Sequence, residues 1–225
     1  MSSTIVVPDC LKTATIIPGP NEREGVQKPE MHKTVRLVVI EEGKVLLVHE
    51  RGGEFTVKPA GWGLPGGGVD GKTEQDLVGT ILKFLPIYCR VPVGKTEEVF
   101  ADIMNISTAM ELPVFLVGVK EGIEETGLII RPERKLFEKK DAPDHVVVVV
   151  NGKILGGELS TRSTETDDCR WFSLSALPAG LYVSHFSMIK RSVNILGLDY
   201  EVSREVLIQE REPVQEEKEK GDSNG

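Results

Sequence analysis

Three glutamates at the end of an apolar run constrain the fold of this chain most. Glu121, Glu124 and Glu125 follow the apolar segment 114–119 at a spacing that places three carboxylates on one face of a helix. Thr126-Gly127 predicts the end of that helix, so the acids lie near the negative end of its dipole. Because like charges at this spacing cost roughly 0.2–0.5 kcal/mol per pair, the triad favours a helix face that binds a hard divalent cation.

In isolation, such a triad favours a solvated acidic face on a surface helix, so its surroundings decide. A glycine-rich stretch, Trp62-Gly-Leu-Pro-Gly-Gly-Gly-Val-Asp70, precedes it by about fifty residues. Together the two segments resemble the Nudix hydrolase family, whose box reads G-x5-E-x7-R-E-U-x-E-E-x-G-U, where U is aliphatic. The residues that match are Gly68 and Glu74 in the first part, and Glu121, Glu124, Glu125, Gly127 and Leu128 in the second.

This sequence departs from the box in three ways. Lys120 stands at the arginine position, and Gly122 stands at the aliphatic position, where a side chain would pin the helix to the sheet. The third departure is an insertion of about 38 residues, because 45 residues separate Glu74 from Lys120 where the box has seven. The first glutamate of the box is therefore open: Glu74 keeps its distance to the glycines and is preferred, but Glu111 directly precedes a helix-start signal at Pro113.

The segments around the box also resemble the family. Residues 34–40 and 44–49 are β-branched apolar runs joined by Glu41-Glu42-Gly43, which predicts a hairpin. Downstream, the pattern predicts a strand at 145–150, a turn at Asn151-Gly152 and another short strand at 154–159. His145 opens the first of these strands and is expected to be a hydrogen-bonded strand-end residue. An acidic stretch then leads into Trp171-Phe172, as is common in the family.

The insertion has a helical pattern. Thr73 with Asp76 three residues later predicts a helix start, and the apolar positions that follow keep one face until Pro86. Thr96 is the predicted cap of a second helix over 97–104. The insertion has two interpretations, either a lid, substrate-selecting wall or dimer contact, or a tolerated surface excursion.

The resemblance implies an α+β fold, an α/β/α sandwich with a mixed sheet flanked by helices. The predicted domain spans 34–200, with the helical insertion at about 75–112. An N-terminal extension covers 1–33, and 201–225 is an acidic, partly disordered tail that carries half of the net charge of −8.

Composition excludes several classes of protein. The acidic balance argues against broad nucleic-acid binding, and no apolar run approaches the roughly 20 residues that span a bilayer. Cys10, Cys89 and Cys169 have no paired spacing, which favours reduced thiols in a cytoplasmic protein over disulfides or a zinc site.

The resemblance implies hydrolysis of a nucleoside diphosphate linked to another moiety, such as ADP-ribose, with Mg²⁺ or Mn²⁺ as cofactor. The implied metal ligands are Glu121, Glu124 and Glu125 with a backbone carbonyl of Gly67 or Gly68, and Glu74 would lie just behind them. The resemblance also implies a nucleotide as the small-molecule partner, and a homodimer would be in keeping with it. The rival interpretation is a Nudix-fold nucleotide-binding or regulatory module that has lost hydrolysis.

The general base stays open, because family members take it from the box helix or from a later loop. Its candidates here are Glu121, Glu165, Asp167 and Asp168, and Lys120 is expected to screen the carboxylates.

Overall fold

The structure is a computed structural model that describes residues 31–52, 59–105, 110–161 and 163–203, and the backbone of 207–208. Most of the predicted extension 1–33 and tail 201–225, and Cys10 with them, lie outside these residues. The strands are β1 His32–Val38, β2 Ile40–Glu41, β3 Lys44–Glu50, β4 Gly61–Gly63, β5 Leu128–Ala142, β6 His145–Gly157, β7 Thr166–Ser173, β8 Leu181–Tyr182 and β9 Leu207–Ile208. The helices are α1 Glu74–Tyr88, α2 Thr96–Met104, α3 Leu112–Thr126 and α4 Val183–Leu196.

The strands form two sheets. In one, β1 runs parallel to β6, and β6 pairs antiparallel with β5 in a long hairpin. In the other, the order is β2-β3-β4-β8-β9, and β7 pairs antiparallel with β3. Parallel and antiparallel pairs therefore occur in both sheets, as the predicted mixed sheet requires.

Alternation along the strands separates two apolar cores. On β1, Val35 and Leu37 face the core that contains the buried side of α3 and Leu77, Ile81 and Leu85 of α1. On β3, Val45 and Leu47 face the other core, which contains Met188, Ile189 and Val193 of α4. Successive strand side chains point to opposite faces of a sheet, so the strands lie between two helical layers. The predicted α+β sandwich is confirmed.

The predicted hairpin at 34–49 is wrong in extent. Only Ile40 and Glu41 pair with β3 in this hairpin. Strand β1, which precedes them, pairs with β6 in the other sheet. The predicted turn at Asn151-Gly152 is also wrong, because β6 runs through it without a break. A Cβ on Gly152 would lie 2.6 Å from Ile130 Cγ2, so this glycine permits close packing and does not turn the chain.

The insertion is helical as predicted, with two corrections. Thr73 caps α1 through a full capping box with Asp76, but the helix continues past Pro86 to Tyr88. Thr96 is the first residue of α2 and not its N-cap, because Lys95 occupies the N-cap position. Helix α1 packs against α3, and its buried residues belong to the same core. One face of α1 in the insertion therefore contributes to the domain core.

Strand β5 and helix α4 were not predicted from the sequence. Within the described ranges, no helix has the length and apolarity that crossing a membrane requires.

Candidate active site

Helix α3 delivers the three glutamates to the site. It ends where predicted, at Gly127, which has a φ of 71° and donates its N–H to the carbonyl of Ile123. Glu121 and Glu125 are buried, with 8% and 7% of their surface exposed, whereas Glu124 is half-buried. Gly122 lets the helix lie close to β5, because a Cβ there would be 3.0 Å from the Cβ of Ile130. The small residue at the aliphatic position of the box thus brings the helix nearer to the sheet.

The glycine loop 65–68 lies alongside β1. Its carbonyls at Pro65 and Gly67 accept the N–H groups of Leu37 and Val35. A Cβ on Gly66 would lie 2.0 Å from the carbonyl oxygen of Val35, so a side chain has no room. The close approach of β1 therefore requires glycine at position 66.

The loop and the acidic helix meet directly. The N–H of Gly66 donates to Glu125 Oε2 at 2.8 Å. A Cβ on Gly67 would lie 2.3 Å from Glu121 Oε1, so the backbone of the loop lies against that carboxylate. The two separated parts of the motif therefore form one site.

Lys120 neutralises part of the acidic face. Its Nζ lies 2.9 Å from Glu121 Oε1 and also forms a close ion pair with Glu124 Oε2. Burial lowers the pKa of Lys120, but the charges and hydrogen bonds of these two carboxylates outweigh it and raise that pKa on balance. Lys72 lies 3.8 Å from Glu121 Oε1 on the loop side.

Glu125 is the most perturbed acid of the site. Burial raises its pKa well above the ordinary value, and the charge of Glu121 raises it further. The Gly66 N–H and the guanidinium of Arg36 oppose this shift in pKa without cancelling it. A buried carboxylate that is so weakly compensated would be stabilised by a bound cation.

A cavity of about 580 Å³ opens beside the loop. Glu125 reaches it from α3, and Glu165 reaches it from the segment before β7. Acidic, basic and hydroxyl side chains line it together with the loop glycines. The lining residues are Thr34, Arg36, Glu50, Arg51, Gly52, Gly66, Gly67, Gly68, Glu125, Thr164 and Glu165.

Sequence reasoning missed Arg36 and Glu50. Arg36 lies in β1 with 12% of its side chain exposed, and Glu50 ends β3 with 22% exposed. The sequence does contain a signal for both residues, because each is a charged residue within or at the end of an apolar strand. Such a charge is rarely buried unless it has a partner. The two side chains form a long ion pair, with Arg36 Nη1 3.9 Å from Glu50 Oε1.

The later acidic residues separate into two environments. Glu165 lines the cavity, and its carbonyl accepts the N–H of Arg51 at 2.9 Å. Asp167 lies 2.7 Å from His49 Nδ1, and Asp168 lies 2.5 Å from Arg170 Nη2. Of these three acids, only Glu165 is among the residues that line the cavity.

The two alternatives for the first glutamate of the box occupy different helix starts. Glu74 is the first residue of α1, whereas Glu111 immediately precedes α3, whose first turn contains Pro113. Glu111 forms an ion pair with Lys33 Nζ at 2.7 Å. Which of the two fills the first glutamate of the box stays a prediction, with Glu74 preferred.

The remaining predicted residues have structural partners. The carbonyl of Gly67 accepts the Val35 N–H, and that of Gly68 lies 3.5 Å from Lys72 Nζ. His145 contacts Thr34 Oγ1 and Asp141 Oδ1 at 2.7 and 2.6 Å, as expected for a hydrogen-bonded strand-end histidine.

The donor set suits a hard cation in its chemistry. Carboxylate oxygens are the ligands that Mg²⁺ prefers, and the loop backbone lies against Glu121 where a Cβ would be too close. In the described part of the chain, however, no three such side chains are arranged as a metal cluster. The ammonium of Lys120 lies between the carboxylates of Glu121 and Glu124.

No protein-family model and no curated protein matches this chain. Solved structures do. An ADP-ribose pyrophosphatase from Streptococcus suis 89-1591 is 22% identical, with a TM-score of 0.48 over 80% of this chain and 100% of that one. A UDP-X diphosphatase is 18% identical, with a TM-score of 0.49 over 80% of this chain and 70% of that one. A NUDIX hydrolase from Nitrosomonas europaea is 13% identical, with a TM-score of 0.49 over 82% of each chain.

Proposed function

We propose that this chain is a Nudix-type pyrophosphohydrolase that cleaves a nucleoside diphosphate linked to another moiety and depends on Mg²⁺ or Mn²⁺. One observation carries the proposal: Glu121 and Glu125 are buried against the glycine loop, and Glu125 opens into a cavity that also contains Arg36, Arg51 and Glu165. Buried acids that repel each other are costly inside a domain, so the presence of Glu125 at the cavity wall, with Glu121 buried beside it, favours a ligand that needs them.

Glu121, Glu124 and Glu125 would hold the metal ion. When bound, such an ion neutralises the charge of the pyrophosphate and lowers the pKa of a water molecule that it coordinates. Lys120 competes for two of these carboxylates, because its ammonium contacts both Glu121 and Glu124. A metal ion would share these two carboxylates with Lys120, which contacts Oε1 of Glu121 and Oε2 of Glu124.

The chain's own residues supply positioning and proton transfer. Arg51 is an exposed cation at the cavity wall and would bind a phosphate oxygen of the substrate. Glu165 lies at the same wall and is the favoured general base, since Asp167 and Asp168 are each paired with a basic side chain.

A substrate screen tests this proposal. Purified protein is incubated with ADP-ribose, nucleotide sugars and dinucleoside polyphosphates in Mg²⁺ or Mn²⁺, and the products are quantified by chromatography. We expect nucleoside monophosphate to be released, and Glu125→Gln to lower turnover at least ~100-fold, the range associated with one lost electrostatic contact at a transition state. Glu138→Gln is the matched control, because Glu138 is an exposed acid on β5 paired with Lys135. No product from any substrate, or full activity in Glu125→Gln, would contradict the proposal.

Lys120 favours a second candidate, a nucleotide-binding module without hydrolysis. A lysine already occupies the acidic face that a metal ion would need, as its contacts with Glu121 and Glu124 show. This candidate predicts binding of nucleoside diphosphates without product formation. Isothermal titration with a non-hydrolysable diphosphate analogue, in EDTA and in Mg²⁺, separates the two: equal affinity in both buffers favours the module, and binding that requires Mg²⁺ favours the enzyme.

A further inference from the structure

Arg36 is a buried cation in the middle of an apolar strand. Its neighbours Val35 and Leu37 have no exposed surface and belong to the core beneath α3. Arg36 itself lines the cavity, and 12% of its side chain is exposed. A charged side chain is seldom buried to this degree unless specific partners hold it.

Its hydrogen-bond partners are two carbonyls of the glycine loop. Nη1 donates to the carbonyl oxygens of Leu64 and Gly66, each at 3.2 Å. These carbonyls flank Pro65, which has no N–H to contribute to the loop's own hydrogen bonding. The guanidinium therefore bridges the residues on either side of the proline.

The same two residues donate their N–H groups to other elements. Leu64 donates to His185 Nδ1 of α4 at 2.8 Å, and Gly66 donates to Glu125 Oε2 of α3 at 2.8 Å. Backbone N–H groups of β1 already hold the carbonyls of Pro65 and Gly67, and Arg36 adds the contacts to the carbonyls of Leu64 and Gly66. If Arg36 were lost, these two carbonyls would be released and the Gly66 N–H would be held less firmly on Glu125.

We infer that Arg36 is a positioning residue, which holds the glycine loop so that the Gly66 N–H stays on the Glu125 carboxylate. The inference about the loop stands on geometry alone, and only its catalytic consequence rests on the proposed function. A guanidinium suits this task because Nη1 carries two N–H donors in a fixed plane, which face the two carbonyls, and the same nitrogen lies 3.9 Å from Glu50 Oε1. A lysine would present one compact charge without that fixed array.

Arg36 also lines the cavity, so direct binding of substrate phosphate is the competing role. The two roles differ in kinetics. Loss of a residue that binds ground state and transition state equally raises KM and leaves kcat unchanged, whereas misplacement of Glu125 lowers kcat.

The test compares Arg36→Met and Arg36→Lys with the wild type. Amide exchange is followed by NMR at Gly66 and Leu64, with Val117 in the buried part of α3 as internal reference. Arg191→Met is the matched control, since Arg191 packs over the ring of Phe137 at 4.1 Å and its loss removes an equivalent side chain elsewhere. Where the wild type is active, kcat and KM are measured for each variant.

In Arg36→Met we expect the Gly66 and Leu64 amides to exchange roughly 10-fold faster or more, the effect of losing one charged hydrogen bond. Val117 should not change. The value of kcat should fall while KM stays within about 3-fold, as expected of a group that acts through Glu125 and does not bind the ground state. Arg36→Lys keeps the charge and should show the same loss of amide protection, which decides the matter if Arg36→Met fails to fold.

Unchanged exchange at Gly66 in both variants would overturn the inference. A rise in KM with unchanged kcat would overturn it in favour of phosphate binding. If the wild type hydrolyses none of the substrates, the proposed function fails, but faster exchange at Gly66 would still support the positioning role of Arg36.

Discussion

Two adjacent glycines of the loop should respond very differently to alanine. In Gly67→Ala the new Cβ would lie 2.3 Å from Oε1 and 2.5 Å from Cδ of Glu121. In Gly68→Ala it would meet nothing within 4 Å. Neither glycine is among the residues with positive φ, so the backbone tolerates alanine at both positions. The pair therefore isolates one contact between the loop and the acidic helix.

The structure sets the size of the effect. Ordinary contact with a Cβ begins at 3.4 Å, so Gly67→Ala must push the Glu121 carboxylate back by about 1 Å. Glu121 is buried and already pairs with Lys120, so it has little space to move. Overpacking of this kind costs about 1–3 kcal/mol, whereas Gly68→Ala should be neutral or stabilise by ~0.4–1 kcal/mol through the unfolded chain. A displacement of ~1 Å at a reacting centre can lower turnover ~100-fold.

Urea unfolding of both variants and of the wild type measures the first effect, and steady-state turnover on the active substrate measures the second. Gly67→Ala should be less stable and less active than the wild type. Gly68→Ala should be close to the wild type in both measurements. Equal stability and equal turnover in the two variants would refute the conclusion that the loop backbone positions Glu121.

Three further predictions concern charge and burial. Glu125→Gln should melt at the same temperature as the wild type or higher in EDTA, because an amide oxygen can accept the Gly66 N–H without a buried charge; a clear drop in melting temperature would contradict this. Lys120→Met should have a lower melting temperature than the wild type in EDTA. Mg²⁺ should raise its melting temperature by more than that of the wild type, because the ammonium no longer competes for Glu121 and Glu124. A smaller rise in melting temperature would mean that Lys120 assists the metal. Burial raises the pKa of Cys89 to about 12 and that of Cys169 to about 11, so a Cys10→Ser variant should not react with a thiol reagent at pH 8 until it is unfolded.

The same thiols give a sign for stability at high pH. A group whose pKa is raised by folding stabilises the protein at pH values below its pKa in the unfolded chain. This stabilisation is lost as the pH rises towards its pKa in the folded protein. The free energy of unfolding should therefore fall as the pH rises above about 9. The fall continues up to the folded-state pKa, which is about 12 for Cys89 and about 11 for Cys169. This loss should be smaller in Cys89→Ala than in the wild type when urea midpoints are compared at pH 8 and pH 10.

The local part of the site was predictable from the sequence, and the long-range part was not. The spacing of Glu121, Glu124 and Glu125 follows from helix geometry, and Gly127 ends the helix by a local rule. Arg36 and Glu50 enter the site from β1 and β3, which belong to different sheets. Which strand lies next to the loop depends on pairing between distant segments, and apolar periodicity does not specify it.

The errors in the fold have a similar origin. Asn151-Gly152 has the composition of a turn, but β5 pairs with β6 on both sides of it, and the packing of Ile130 needs the missing side chain. Tertiary pairing thus overrode a local signal. Pro86 was expected to end α1, yet the helix continues for two residues, with buried Leu85 and Cys89 keeping its end in the core.

The glycine loop and the acidic helix meet despite the insertion between them, because a strand that precedes the loop holds its backbone. The backbone contacts that shape the loop come from β1: Leu37 holds Pro65, Val35 holds Gly67, and Thr34 bridges Gly68. The acidic helix is placed separately, by packing of its apolar face against β5 and against α1. Since α1 belongs to the insertion, the inserted residues support the position of α3 instead of only lengthening the connection. The distance along the chain between the glycines and the glutamates is therefore free to vary, as long as β1 fixes the loop and the core fixes the helix.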